Sequence, residues 1–213
     1  MKQIAVIGLG KFGVSLATAY SKEGGTVLAI DIDGDKVQEI ADIVTYAVKA
    51  DVSDPEVVRN VGLENVDTAV VAISDNLEAS VMATILAKEL GVPEVIAKAQ
   101  NDVHAKVLTK VGADKIIFPE KDMGIKLAKG LSLTHFKDII DLKDDYSIVE
   151  AATPKSWVGK NLTEINPRKK YGFNVIAVRN EDKIKVNLDP LENFKKEDTL
   201  IVIGRNEVMA KVF

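Results

Sequence analysis

Cysteine is absent from the 213 residues. Disulfides, thiolate catalysis and cysteine-ligated metals are therefore excluded. Only two histidines occur, His104 and His135, too few for an imidazole metal cluster. No window approaches the roughly 18 consecutive apolar residues that a membrane-spanning helix needs. The start, MKQIAVIGLG, enters a strand pattern directly and lacks the apolar run and cleavage site of a signal peptide. A cytoplasmic location is expected, with any membrane connection made through a partner. Positive charge is not in excess: 28 Lys and Arg stand against 32 Asp and Glu, a net charge of −4. That balance argues against nucleic acid or anionic lipid as a partner, since both select basic surfaces.

What is present is a regular alternation. Apolar runs rich in Val and Ile lie at 3–9, 26–32, 45–50, 68–74, 94–99 and 115–119. Several are apolar almost throughout, the mark of parallel strands buried on both faces. Helical patterns fill the gaps at 12–22, 34–41, 54–61, 77–90 and 103–111. The fourth carries a stripe of Leu77, Val81, Ile85 with Leu86, and Leu90. Asn76 suits its N-cap and Gly91 its C-terminal turn. Six strands joined by helices predict a Rossmann-like, doubly wound α/β sheet.

The pattern changes near residue 133, after a helix over 121–131. Short strands follow at DIIDL, YSIVEAATP, NVIAVRN, DKIKVNL and DTLIVIG, with helices only at 162–170 and 207–213. Two domains are expected, a nucleotide-binding domain over 1–134 and a small α+β domain over 135–213.

Gly8-Leu9-Gly10-Lys11-Phe12-Gly13 fits G-x-G-x-x-G in the context that gives the motif meaning, after a strand and opening a helix. Gly8 permits the tight turn, Gly10 keeps the phosphate approach clear, and Gly13 lets helix and strand close up. Asp31, followed by Ile32, ends the second strand about 20 residues on, where a carboxylate accepts from ribose hydroxyls and repels a 2′-phosphate. Ligands lie beyond the carboxyl ends of such strands. Asp51 and Val52, Ala72, Ile73 and Ser74, and Lys98 therefore join the candidate set. Asp51 either meets the adenine or serves as a helix-start acid. A lysine at position 98, in an apolar strand, needs a ligand phosphate or ribose as partner, or must reach solvent along its stem. Lys11 suits a terminal phosphate better than an uncharged nicotinamide ring. His104, at the start of the fifth helix, reads as a surface residue.

Catalytic groups are not evident. No Ser/His/Asp arrangement and no Tyr-x-x-x-Lys pair is legible, and the second domain is small for a substrate pocket. The combination favours a sensor over an enzyme. A small NAD-dependent oxidoreductase is the alternative.

The stretches VIGLGKFG, LAIDID, VAISDN, VIAKAQND, GADKIIFPEKDMG and DDYSIVEA together resemble the RCK (TrkA-N plus TrkA-C) family. Within it they resemble the KtrA-like cytosolic regulatory subunits of potassium transporters, over essentially the whole chain. The resemblance implies dimers assembling into an octameric ring beneath an integral membrane potassium-translocating subunit. It implies ATP or ADP, alternatively NAD(H), in the crevice, with Lys11 meeting the γ-phosphate. Glu120 would help hold a cation, magnesium or calcium, at the dimer interface. It further implies cyclic di-AMP at a cleft of the second domain, mapped onto Ile165, Arg168, Asn174, Val175 and Pro190.

Overall fold

Residues of β1 alternate between two apolar clusters, so neither face of the first strand meets solvent. Ala5 and Ile7 enter one cluster with Leu28, Ile30, Val71, Val95 and Leu108, and Ile4 and Val6 enter the other with Val27, Ala29, Ala17 and Ile40. A strand buried on both faces needs helices on both, which is the layering of the first unit. The computed structural model describes residues 2–132, 136–142, 144–181 and 183–213. In chain order the elements are β1 (Gln3–Ile7), α1 (Lys11–Lys22), β2 (Thr26–Asp31), α2 (Gly34–Ile40), β3 (Tyr46–Lys49), α3 (Pro55–Arg59), β4 (Thr68–Val71), α4 (Leu77–Glu89), β5 (Glu94–Lys98), α5 (Asp102–Lys110), β6 (Lys115–Ile117) and α6 (Pro119–Ser132). The strands pair in parallel in the order β3-β2-β1-β4-β5-β6. The chain therefore reverses its direction of travel between β1 and β4, and a crevice opens beyond their carboxyl ends.

Helix α4 departs from the expected stripe at its first residue and adds a row of small buried ones. Its buried residues are Ala79, Ser80, Ala83, Thr84, Leu86 and Ala87, whereas Leu77 is 54% exposed. Val81, Leu86 and Leu90 of the stripe do pack on the core, and the small side chains beside them let this helix sit close to β4 and β5. Its ends form as expected. The Asn76 side chain accepts from the Ala79 N–H at 3.0 Å, and Gly91 adopts φ +79°. The helix expected over 54–61 shortens to α3, because Gly62 at φ +85° turns the chain into a 3-10 segment, Leu63–Asn65.

Two compact units divide between Lys121 and Asp122. The second contains β7 (Phe136–Asp141), β8 (Tyr146–Ala152), α7 (Leu162–Ile165), α8 (Pro167–Tyr171), β9 (Asn174–Asn180), β10 (Lys183–Lys185), β11 (Thr199–Arg205) and α9 (Asn206–Met209). Its strands form an antiparallel sheet in the order β10-β9-β11-β8-β7. Trp157 lies at the centre of its core, stacked within about 6 Å of the rings of Tyr171, Phe173 and Phe194. The single helix expected over 162–170 is two helices. Asn166 turns left-handed at φ +46°, and Pro167 has no N–H to continue the ladder.

His104 is buried, at 5% exposure, which corrects its expected surface role. The Asn101 side chain caps α5 by accepting from the His104 backbone N–H at 2.9 Å. The ring Nδ1 accepts from the Gln100 N–H at 3.4 Å, which places the proton on Nε2. Among the described residues Nε2 has no hydrogen-bond partner. Burial holds this imidazole below the ordinary histidine value. A folded-state pKa depressed in this way contributes stability that is full above the unfolded value, about 6.5, and lost as pH falls below it. Thermal unfolding followed from pH 8 to pH 5 should show the wild type losing stability below about pH 6.5, with a shallower loss in His104→Gln. Identical pH slopes in the two proteins would contradict the assignment.

Candidate functional site

The glycine turn is shaped by three different constraints. Gly8 adopts φ +99°, and a Cβ there would meet the Ile73 Cγ1 at 2.9 Å and the Ile73 backbone nitrogen at 3.1 Å. The end of β4 thus presses directly on the turn that leaves β1. A Cβ at Gly13 would stand 1.9 Å from the Gly8 carbonyl oxygen, so only glycine lets α1 rise this close to the strand. At Gly10 a Cβ would meet nothing within 4 Å. That open side is the approach an anion needs.

The start of α1 is chemically unfinished. Asp33, Asn76 and Asn101 cap α2, α4 and α5 with their side chains, whereas Gly10 supplies no side-chain cap to α1. The first N–H groups of a helix have no partner within it, and they sit at the positive end of its dipole. An uncapped helix start opening on the switch point of the sheet has the donors and the dipole that an anion selects. Exposed Lys11 is its first residue and adds a full positive charge.

Asp31 closes β2, as expected, and both its oxygens already accept hydrogen bonds. Oδ2 takes the Leu9 N–H at 2.5 Å and Oδ1 takes the Asp33 N–H at 2.9 Å. The carboxylate therefore ties the glycine turn to β2 and keeps further lone pairs for a ribose hydroxyl. Ile32, 61% exposed, stands beside it. Asp51 is exposed and accepts from both the backbone N–H and the hydroxyl of Ser53, at 2.9 and 2.7 Å. The Ser53 hydroxyl is the main cause that holds the Asp51 carboxyl below its ordinary value. The helix-start role belongs to Asp54, which accepts from the Glu56 N–H at 2.9 Å. Val52 and Ala72 belong to the core, at 6% and 7% exposure, so they can offer a ligand little more than backbone.

Lys98, at the end of β5, finds a partner that spacing did not reveal. Its Nζ lies 2.6 Å from the Glu120 Oε1 and 5.9 Å from the centre of the Phe12 ring. Glu120 stands on the first turn of α6, and the hydrogen bond from Lys98 is the main cause holding its carboxyl below the ordinary glutamate range. The two residues are 22 apart in sequence, but β6 lies beside β5, so the first acid after β6 is delivered to the lysine that ends β5. That strand adjacency was the available signal. Among the described residues no group of three or more ligating side chains is placed to hold a metal ion. Within one chain the described residues at Glu120 therefore do not complete a cation site, and the carboxylate already faces an ammonium.

In the second unit, α7 and the 190 loop are joined. The Pro190 carbonyl accepts from the Thr163 N–H at 3.2 Å and from the Thr163 hydroxyl at 3.1 Å. Ile165 and Val175 belong to one apolar cluster. Arg168 and Asn174 are exposed, on α8 and at the start of β9.

The TrkA-N domain family matches residues 4–119, and the TrkA-C domain family matches residues 146–213. The chain is 43% identical over 203 residues to the Ktr system potassium uptake protein C of Bacillus subtilis (strain 168), covering 95% of this chain and 92% of that protein. It is 40% identical to the Ktr system potassium uptake protein A of the same organism, covering 97% and 93%. The Vibrio alginolyticus Ktr system potassium uptake protein A is 34% identical, covering 98% and 95%. The solved structure of the GsuK channel bound to NAD has the same fold, with a TM-score of 0.66 at 15% identity. The match covers 99% of this chain, which spans only 38% of the length of that one. The parallel Rossmann-like sheet, the antiparallel C-terminal sheet and these matches place the chain in the TrkA-N/TrkA-C, or RCK, family, among relatives that are Ktr potassium uptake proteins.

Proposed function

We propose that this chain is a nonenzymatic regulatory subunit that reads adenine nucleotides and gates a membrane potassium transporter or channel. The observation that carries this reading is the uncapped start of α1 at the sheet's switch point, with Lys11 beside it. The chain in which it occurs has Ktr potassium uptake proteins as relatives along nearly its full length. ATP or ADP occupies the crevice in this reading. Their phosphates lie over the open side of Gly10 and the ribose against Asp31, with Asp51 toward the adenine. NAD(H) is the other occupant of the same class, and GsuK, of the same fold, has been solved bound to NAD and to ADP.

The subunit works at the cytoplasmic face of the membrane, through an integral membrane partner. No helix of the described residues is long and apolar enough to cross a membrane itself. With one Rossmann unit per chain, symmetry comes from homo-oligomerisation, as dimers closing into an octameric ring. A magnesium or calcium ion at Glu120 would have to draw its remaining oxygens from the ligand and a second copy of the chain. The C-terminal unit binds cyclic di-AMP at Ile165, Arg168, Asn174, Val175 and Pro190, with Arg168 on a phosphate.

A ligand shifts such a ring only by its difference in affinity for two shapes. A tenfold preference is about 1.4 kcal/mol per site, and several sites acting together make the response steep. Lys11 is the residue that separates ATP from ADP. Calorimetric titration of Lys11→Ala should bring the ratio of ATP to ADP affinity close to one, and an unchanged ratio would remove Lys11 from the mechanism. For the second ligand, Arg168→Ala should weaken cyclic di-AMP binding by about tenfold or more while ATP affinity holds. Equal cyclic di-AMP affinity in variant and wild type would refute that site.

A further inference from the structure

Among the described residues, Lys98 is the only lysine or arginine that is buried, at 8% exposure. An ammonium carries three N–H donors and tolerates burial only when an anion faces it. Here the anion is the Glu120 carboxylate, at 2.6 Å. The pair is lopsided, because the Lys98 side chain is 9% exposed and that of Glu120 is 72% exposed. The carboxylate can leave for water at little cost, whereas the ammonium cannot be left alone. Lys98 also lies against Phe12, the second residue of α1, so the place where it sits adjoins the anion site at that helix start.

A phosphate seated at the start of α1 would be a second anion for the same buried ammonium. We infer that Glu120 is an internal competitor for the ligand: its carboxylate holds Lys98 while the crevice is empty, and a nucleotide phosphate takes the ammonium on binding and releases Glu120. This rests on the nucleotide-site reading given above. It also gives Lys98 a part that neither a plain ligand contact nor a plain structural ion pair has. Each nucleotide pays the breaking of an ion pair, and each bound phosphate frees a carboxylate on the first turn of α6. Because Lys98 keeps the Glu120 carboxyl below its ordinary range, the competitor stays ionised at neutral pH.

The exchange makes a prediction that runs against the usual effect of deleting a site residue. Calorimetry on the full chain in EDTA compares ATP with adenosine for the wild type, Glu120→Gln, Lys98→Met and the double variant. Glu120→Gln should tighten ATP binding about two- to fivefold, the range for loss of a partly exposed ion pair, and leave adenosine affinity unmoved. In the Lys98→Met background the same change should give no gain. A gain that persists without Lys98 would mean simple repulsion between carboxylate and phosphate, and would overturn the exchange. Unchanged or weaker ATP binding by Glu120→Gln would overturn it as well. Glu120 is exposed, so its variant is expected to fold, and its adenosine affinity, read in the same titrations, reports on that unit. A wild type that binds neither ATP nor adenosine would instead remove the nucleotide reading itself.

Discussion

The Gly8 carbonyl oxygen stands where a side chain at position 13 would begin, 1.9 Å from a Cβ built there. Helix α1 can close on β1 only because position 13 has no side chain. That approach carries the uncapped N–H groups of α1 to the end of β1, where the strand order reverses. Two further contacts hold the turn in place. Ile73, leaving β4, packs under Gly8, and Asp31, leaving β2, accepts the Leu9 N–H. The loop that would cradle a phosphate is thus gripped by both neighbouring strands. A rigid anion site of this kind costs little reorganisation when it is filled.

Much of this was legible from residue patterns. Strands buried on both faces announce themselves through Val and Ile runs, and the glycine spacing reports the close helix approach directly. The caps of α4 were readable too, since Asn76 and Gly91 act through local backbone chemistry. What was not legible depended on neighbours distant in sequence. The stripe on α4 held at Val81, Leu86 and Leu90 and failed at Leu77, and it passed over Ala79, Ser80, Ala83 and Ala87, because a period of bulky side chains does not register small ones. His104 looked exposed from its place at a helix start, but α5 turns it inward, where Gln100 and Asn101 hold it. Pro167 could have signalled the break in the C-terminal helix, since it has no N–H for the ladder.

Lys98 shows the same limit from the other side. Its need for a partner or a path to solvent was readable in an apolar strand, but Glu120 as the partner was not. The β5–β6 adjacency supplies Glu120, and the contact with Phe12 places the pair beside the start of α1. The charges gathered there are few: Lys11 exposed at the helix start, Lys98 buried, and Glu120 exposed but engaged. In such an arrangement the charge carried by a ligand decides which ion pairs survive. That is what a sensor of phosphorylated metabolites requires, since nucleotides differing by one phosphate must be told apart by charge.

In the proposed mechanism the identity of the nucleotide sets the shape of an assembly. Small-angle X-ray scattering of the purified oligomer, stripped of nucleotide and then loaded with ADP or ATP, tests it most directly. Distinct scattering profiles are expected for the ADP and ATP forms at one constant mass. A single profile shared by the empty, ADP and ATP forms, with binding verified in the same samples, would contradict it.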